Sequence, residues 1–216
     1  MTGFPILIPV NGLDRAKGRL AGILNDDERA MLSLITLETV LHAAGQDAIV
    51  LTPDERVAEA ARPHARILAE DPKAAGLNGQ LEAALAALRA ESNPDCVLIL
   101  HADLPLASPA AIGSLGDMST PGSIVAVESF DGGTNAMLMR PPGKFRLAYG
   151  PGSFEKHREA AHDAGMRVHV NENRELRLDL DTPDDLRELL RAPRGRQGAA
   201  GRYLLSIGIE ERLERA

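Results

Sequence analysis

"VLILHADLPL", residues 97–106, carries four apolar residues, Val97 to Leu100, straight into an acid at Asp103 and closes at Pro105. A short continuous apolar run that ends at a turn signal reads as a strand buried on both faces. Strands of that kind belong to sheets covered by helices on both sides. Ligands of such sheets gather outside the carboxyl ends of the strands. Asp103 therefore falls where this architecture would place a functional group.

The pattern recurs outward from this stretch. Apolar runs at Phe4 to Val10, Asp47 to Leu51, Arg66 to Leu68, Ser123 to Val127, Ala136 to Met139 and Arg167 to Val170 have strand length. Between them lie segments with helical spacing. "NDDERAMLSLITLETVLHAAG", residues 25–45, offers Asn25 as a cap, acids in the first turn and Gly45 as a stop. "LNGQLEAALAALRAES", residues 77–92, puts Leu77, Leu81, Ala84, Leu85 and Leu88 on one face. Alternating strands and helices predict an α/β fold of three-layer, Rossmann-like type with a mostly parallel sheet.

At 216 residues the chain can build one substantial domain, assigned here to residues 1–190. "RAPRGRQGAAGR", residues 191–202, reads as a flexible linker rich in Gly, Ala and Arg. It leads to a tail, "YLLSIGIEERLERA", that either packs on its own domain or pairs with a second subunit in a homodimer. Net charge is −7 and only 3% of residues are aromatic, which argues against a nucleic-acid partner. No apolar run approaches the ~20 residues of a membrane helix, and Pro5 and Pro9 break the N-terminal run, which does not read as a signal peptide. One cysteine, Cys96, allows neither an internal disulfide nor a cysteine metal site, which suits a cytoplasmic protein.

Four stretches can carry chemistry, and each also has a plain structural reading. "IPVNGLDRAKGRLAGIL", residues 8–24, follows a strand with a loop holding Asn11, Gly12, Lys17, Gly18 and Arg19. It is either an anion cradle with two cations or an ordinary connection with solvated bases, and it matches neither a Walker A nor a dinucleotide motif. Asp103 in "HADLPL" either holds a divalent cation or forms a turn before Pro105, while His101 reads as strand-end packing. "DGGTNA", residues 131–136, and "YGPGSFEKH", residues 149–157, offer small donors and a helix opening. These either bind an anion or supply glycine turns with Ser153 as a cap. "LRLDLDTPDDLREL", residues 176–189, alternates acids with leucines, so on an extended segment Asp179 and Asp181 face the same way. Two like charges on one face need a cation nearby. Asp184 and Asp185 are accounted for as first-turn acids behind a Thr182 cap and Pro183.

Taken in order, "ADLPL", "GGTNA", "YGPGSFEKH" and "LDLDTPDDL" resemble the 2-phospho-L-lactate guanylyltransferase family of the nucleotidyltransferase-A superfamily, over roughly residues 5–190. The resemblance implies a glycosyltransferase-A-like nucleotidyltransferase fold and a Mg²⁺-dependent reaction in coenzyme F420 biosynthesis. In it the phosphate of a small phospho-carboxylic acid attacks the α-phosphorus of GTP, and pyrophosphate leaves. It implies Asp103 and Asp181 as Mg²⁺ ligands, with Asp179 as a second ligand or orienting carboxylate. Lys17 and Arg19 would face the GTP phosphates beside Asn11, and Gly76, Leu77 and Asn78 of "AAGLNGQL" would lie against the base. Thr134, Gly150 and Ser153 would bind the acid, and the role of His157 stays open.

The sequence departs from the family pattern at three positions. Asn11 stands where relatives usually carry Lys, Gly18 replaces Ser or Thr, and Tyr149 replaces Phe. The acid is phosphoenolpyruvate, 2-phospho-L-lactate or 3-phospho-D-glycerate, and an Ala- and Arg-rich composition makes phosphoenolpyruvate the first choice. A molybdopterin or sugar-phosphate nucleotidyltransferase would need a glycine-rich first loop that "VNGLDRAKGRLA" lacks. A non-catalytic GTP-binding domain would have no need of the three acids.

Overall fold

The computed structural model describes residues 3–215. Seven strands form one sheet: β1 (Ile6–Pro9), β2 (Ala48–Leu51), β3 (Arg66–Leu68), β4 (Val97–Leu100), β5 (Ser123–Glu128), β6 (Thr134–Arg140) and β7 (Arg167–Val170). Their order across the sheet is β3-β2-β1-β4-β6-β5-β7. All neighbours are parallel except β6, which runs antiparallel to both β4 and β5. The sheet is therefore mixed and mostly parallel, as the apolar runs predict.

Helices cover both faces. Ile6 and Ile8 point into one core with Leu37 and Val40 of α1 (Asp26–Ala44), Val57 of α2 (Glu55–Ala61) and Ile112 of α4 (Pro109–Met118). Leu7 points the other way, toward Leu81 and Leu85 of α3 (Gly76–Glu91) and Phe154 of α5 (Ser153–Asp163). Alternation along a strand buried on both faces produces the three layers. Helix α1 begins at the expected cap: Asn25 Oδ1 accepts from the Glu28 N–H at 2.9 Å, and Glu28 Oε2 accepts from the Asn25 N–H at 2.9 Å. After the short α6 (Arg174–Arg177), α7 (Pro183–Arg191) starts on a Thr182–Asp185 capping box.

Residues 191–202 are not a flexible linker. They run from the end of α7 through α8 (Pro193–Gln197) into α9 (Ala199–Ser206), with only the caps Ala192 and Gly198 between helices, and α10 (Ile209–Arg215) follows. Leu204, Ile209 and Leu213 close a third core with Leu20, Leu24, Leu32 and Leu186. The glycines that suggested flexibility are points of close approach. A Cβ on Gly195 would strike the Leu189 carbonyl, and one on Gly201 would strike the Gly195 carbonyl. Glycine can serve contact as well as freedom, and composition does not separate the two.

Arg212 ties this tail to the body of the protein. Its guanidinium donates to both oxygens of Glu28, at 2.8 and 3.0 Å, and to the carbonyls of Ile23 and Ile207. The Arg212 hydrogen bonds hold the Glu28 carboxyl below its ordinary value of 4.5. A depressed acid contributes stability above its ordinary value and loses it as pH falls through the depressed one. Arg212→Ala is expected to cost about 2 kcal/mol at pH 7. Thermal unfolding of parent and variant should show that gap narrowing once the pH drops below 4.5.

Candidate active site

Strands β1 and β4 are neighbours and parallel, so the loops leaving them open at the same edge of the sheet. The first loop makes two short 3₁₀ turns, Leu13–Arg15 and Gly18–Leu20, with Lys17 between them. Asp54, following β2, pins this loop by accepting from the Leu13 N–H at 2.9 Å. The Arg56 guanidinium holds the Asp54 carboxyl down at about 2. The segment after α6 is drawn across the end of β4, where the Leu180 N–H donates to the Asp103 carbonyl at 3.2 Å. Leu178 and Leu180 are buried in the third core. Alternation then turns Asp179 and Asp181 together toward Asp103.

One carboxylate oxygen from each of Asp103, Asp179 and Asp181 lies within 4.8 Å of the others. A single lysine reaches into the cluster. Lys17 Nζ donates to the Leu180 carbonyl at 2.7 Å and sits 3.7 Å from Asp103 Oδ2 and 3.9 Å from Asp181 Oδ1. Its side chain is only 4% exposed. Its backbone has φ of +52°, a left-handed conformation that costs a non-glycine residue about 1 kcal/mol. That conformation redirects the side chain from solvent to the acids.

Three carboxylates against one ammonium leave an excess of negative charge. Burial, then the charge of Asp103, pushes Asp179 up to about 7, against the opposing hydrogen bond from Asn135. Burial and Asp103 also raise Asp181, with Lys17 and Arg19 pulling the other way. Asp103 Oδ1 is buried with no hydrogen-bond partner among the described residues. Oxygen donors only, surplus negative charge and an orphaned carboxylate oxygen fit a hard divalent cation. These three residues could hold a metal ion.

A cleft of about 1010 Å³ opens over the cluster, lined by Asn11, Lys17, Arg19, Leu77, Asp103 and Asp181 among others. Arg19 is exposed and lies 3.9 Å from Asp131 in the β5–β6 turn. Gly76 opens α3 with φ of +64°. Asn78 commits its side-chain amide to the backbone of Tyr149. Its Nδ2 donates to the Tyr149 carbonyl at 3.0 Å and its Oδ1 accepts from the Tyr149 N–H at 2.7 Å, clamping the loop before α5.

Thr134 and Ser153 are buried beside His157, apart from the residues lining that cleft, while Gly150 forms an exposed turn with φ of +130°. A bulge explains how Thr134 gets there. Two steps of β6, Thr134 to Ala136, oppose one step of β5. An extra residue re-aims the side chains beside it. Thr134 therefore faces α5, while Asn135 faces α6 and donates to the carbonyls of Leu176 and Arg177 and to Asp179 Oδ1 at 3.2 Å. Asp54, Asn78 and Asn135 hold the site together, and none was legible as doing so: each bonds a partner 41 or more positions distant. The ring of His101 packs 5.3 Å from that of Tyr149, while its Nε2 has no partner among the described residues.

The chain matches the family model described as "Guanylyl transferase CofC like" over residues 4–216. It is 38% identical to a phosphoenolpyruvate guanylyltransferase of Rubrobacter xylanophilus, across 85% of this chain and 91% of that protein. It is 35% identical to a 3-phospho-D-glycerate guanylyltransferase of Phenylobacterium zucineum (89% and 92%) and 29% identical to a 2-phospho-L-lactate guanylyltransferase of a Methanocaldococcus species (95% and 88%). Among solved structures, a chain from Desulfovibrio desulfuricans G20 superposes with a TM-score of 0.78 at 17% identity, covering 100% of this chain and 98% of that one. A CMP:2-keto-3-deoxy-manno-octonic acid synthetase gives 0.54 at 13%, covering 86% and 95%. At those identities the likeness concerns the fold, which is that of the nucleotidyltransferases. By its matched family model and these relatives, the chain is a member of the CofC-like guanylyltransferase family.

Proposed function

We propose that this enzyme transfers the guanylyl group of GTP to the phosphate of a small phospho-carboxylic acid, with release of pyrophosphate, in coenzyme F420 biosynthesis. The observation that carries the reading is the carboxylate cluster of Asp103, Asp179 and Asp181, with Lys17 buried among its oxygens at the cleft floor. A phosphate oxygen of the acid attacks the α-phosphorus, and the bond from that phosphorus to the β-phosphate bridging oxygen breaks. Pyrophosphate carries away the electron pair. The protein's task is positioning and charge stabilisation rather than covalent chemistry.

Asp103 and Asp181 would hold Mg²⁺, with Asp179 as a further ligand or orienting carboxylate. When bound, the ion supplies Lewis-acid polarisation of the α-phosphate and offsets the charge of the leaving group. Lys17 contributes a fixed ammonium beside the reacting phosphate. Arg19 exchanges Asp131 for the outer phosphates, and Asn11, Gly76 and Leu77 border the nucleotide. Asn78 acts by clamping the Tyr149 backbone. Thr134, Gly150 and Ser153 form the acid side. The lone thiol, Cys96, suits a reducing cytoplasm.

Phosphoenolpyruvate is the acid we favour, since relatives named for it are 36–39% identical, against 35% for one named for 3-phospho-D-glycerate and 27–29% for those named for 2-phospho-L-lactate. Pyrophosphate release from GTP and Mg²⁺ with each of the three acids tests both parts of the reading. Release with phosphoenolpyruvate well above the other two is expected. Silence with all three, while GTP still binds, would replace the transferase with a GTP-binding module.

A further inference from the structure

His157 is fully buried, with 0% exposure, and the transfer chemistry leaves it without a role. Both its ring nitrogens are engaged. Nε2 lies 2.9 Å from the Ala148 backbone nitrogen, and Nδ1 lies 3.0 Å from Thr134 Oγ1. Tyr149 meets the ring edge-on at 4.7 Å, and Phe145 flanks it at 6.4 Å. Ser153 Oγ completes the group at 3.2 Å from Thr134 Oγ1.

The donor and acceptor roles in this chain follow from its one invariable member. A backbone N–H only donates, so Nε2 must accept and His157 must be a neutral ring protonated at Nδ1. Burial, reinforced by the charges of His101 and Lys156, pushes His157 down to about 4, which keeps the ring neutral at pH 7. Nδ1–H then donates to Thr134 Oγ1. Thr134 and Ser153 bring two hydroxyl protons, and the bond between them uses one. The other proton has no acceptor among the described residues, although both side chains are only 1% exposed. A buried donor without an acceptor is costly and is satisfied by an anionic oxygen.

We propose that His157 is a positioning residue for the acid substrate: it fixes the loop through Ala148 and, together with Ser153, fills the lone pairs of Thr134 Oγ1 so that the Thr134 hydroxyl donates to the acid's phosphate or carboxylate. This rests on the reading that Thr134 and Ser153 form the acid side. If Thr134 were left to choose, its hydroxyl could point either way. With the imidazole N–H and the Ser153 hydroxyl both directed at Thr134 Oγ1, that oxygen has no lone pair left and its own proton points outward. An anionic oxygen gains about twice as much from that proton as a neutral acceptor does.

Two variants separate the two bonds of His157. In His157→Asn the side-chain amide can still donate to Thr134, whereas in His157→Gln it reaches the Nε2 position and can still accept from Ala148. The proposal expects the Gln variant to raise KM for the acid about tenfold, with KM for GTP within about twofold. The Asn variant, which keeps the bond to Thr134 and loses the one to Ala148, should raise KM for the acid less, by about threefold. Equal shifts for acid and GTP in both variants, or no shift in the Gln variant, would overturn it. Thr134→Val tests the underlying reading separately: an unchanged KM for the acid there would remove the acid side from this position and the proposal with it. A measurement on the unaltered protein stands apart from folding of the variants. Nitrogen shifts of the His157 ring by NMR should report the Nδ1–H tautomer at pH 7, and an Nε2–H tautomer or an imidazolium would overturn the proposal.

Discussion

Asp103→Asn is expected to lower turnover about a thousandfold, with no loss of stability in metal-free buffer at pH 8. A thousandfold loss corresponds to about 4 kcal/mol of transition-state stabilisation, the scale of removing one charge-stabilising contact in a phosphate-transfer site. The amide keeps the shape of the side chain and removes one negative charge from a cluster that has three for a single buried lysine. The same charge that would hold the cation works against the metal-free fold, because it is among the causes that raise Asp179 and Asp181. The parent, with Asp179 up at about 7, binds protons in the folded state that the unfolded chain has already released. Its metal-free stability therefore falls as pH rises through that region. In the variant that fall should be shallower. Thermal midpoints in chelator at pH 5.5 and pH 8, alongside steady-state turnover, measure both halves. Turnover close to the parent's, or a marked drop in midpoint at pH 8, would contradict the assignment.

Lys17→Met should show the opposite coupling: turnover falls, and so does stability. The loss of turnover is expected to be about 10²- to 10³-fold, since the ammonium is fixed beside the acids rather than swinging in solvent. Removing it leaves three carboxylates uncompensated and the Leu180 carbonyl without its 2.7 Å donor. The variant should therefore be destabilised most at pH 8, where the acids are charged, and least near pH 5.5, where protonation relieves the repulsion. Calorimetric midpoints across that range check the sign. Lys17→Arg is no substitute, because a planar guanidinium does not fit a site where the side chain is 4% exposed. A destabilisation independent of pH would mean that Lys17 fills space rather than balancing charge.

These two residues differ in how far the sequence discloses them. Asp103 was legible because a buried run ending in an acid at the sheet's ligand edge has few structural uses. Asp179 and Asp181 were legible from their alternation with leucines, which holds in the structure, where Leu178 and Leu180 are buried and the acids converge. Lys17 was legible as a cation near phosphates, but its inward turn depends on a left-handed backbone angle that no spacing encodes. The strands were readable from apolar runs that carry no sign of direction, so the reversal of β6 was not specified beyond a short glycine turn. The bulge that turns Thr134 to the α5 side and Asn135 to the α6 side, the reverse of what the alternation of Ala136 to Met139 would give, was equally silent, because a one-residue slip leaves composition unchanged. Gly195 and Gly201 were misread for a related reason: a glycine that admits a carbonyl and one that frees a linker look alike until the helices α8 and α9 are in place.

The central claim is that the three carboxylates at the end of β4 are where a divalent cation meets the triphosphate. Anomalous scattering from crystals grown with Mn²⁺ and GTP tests it most directly. The account predicts a peak ligated by Asp103 and Asp181 and in contact with the α-phosphate. A nucleotide bound in the cleft with its metal held elsewhere, and those carboxylates unligated, would contradict it.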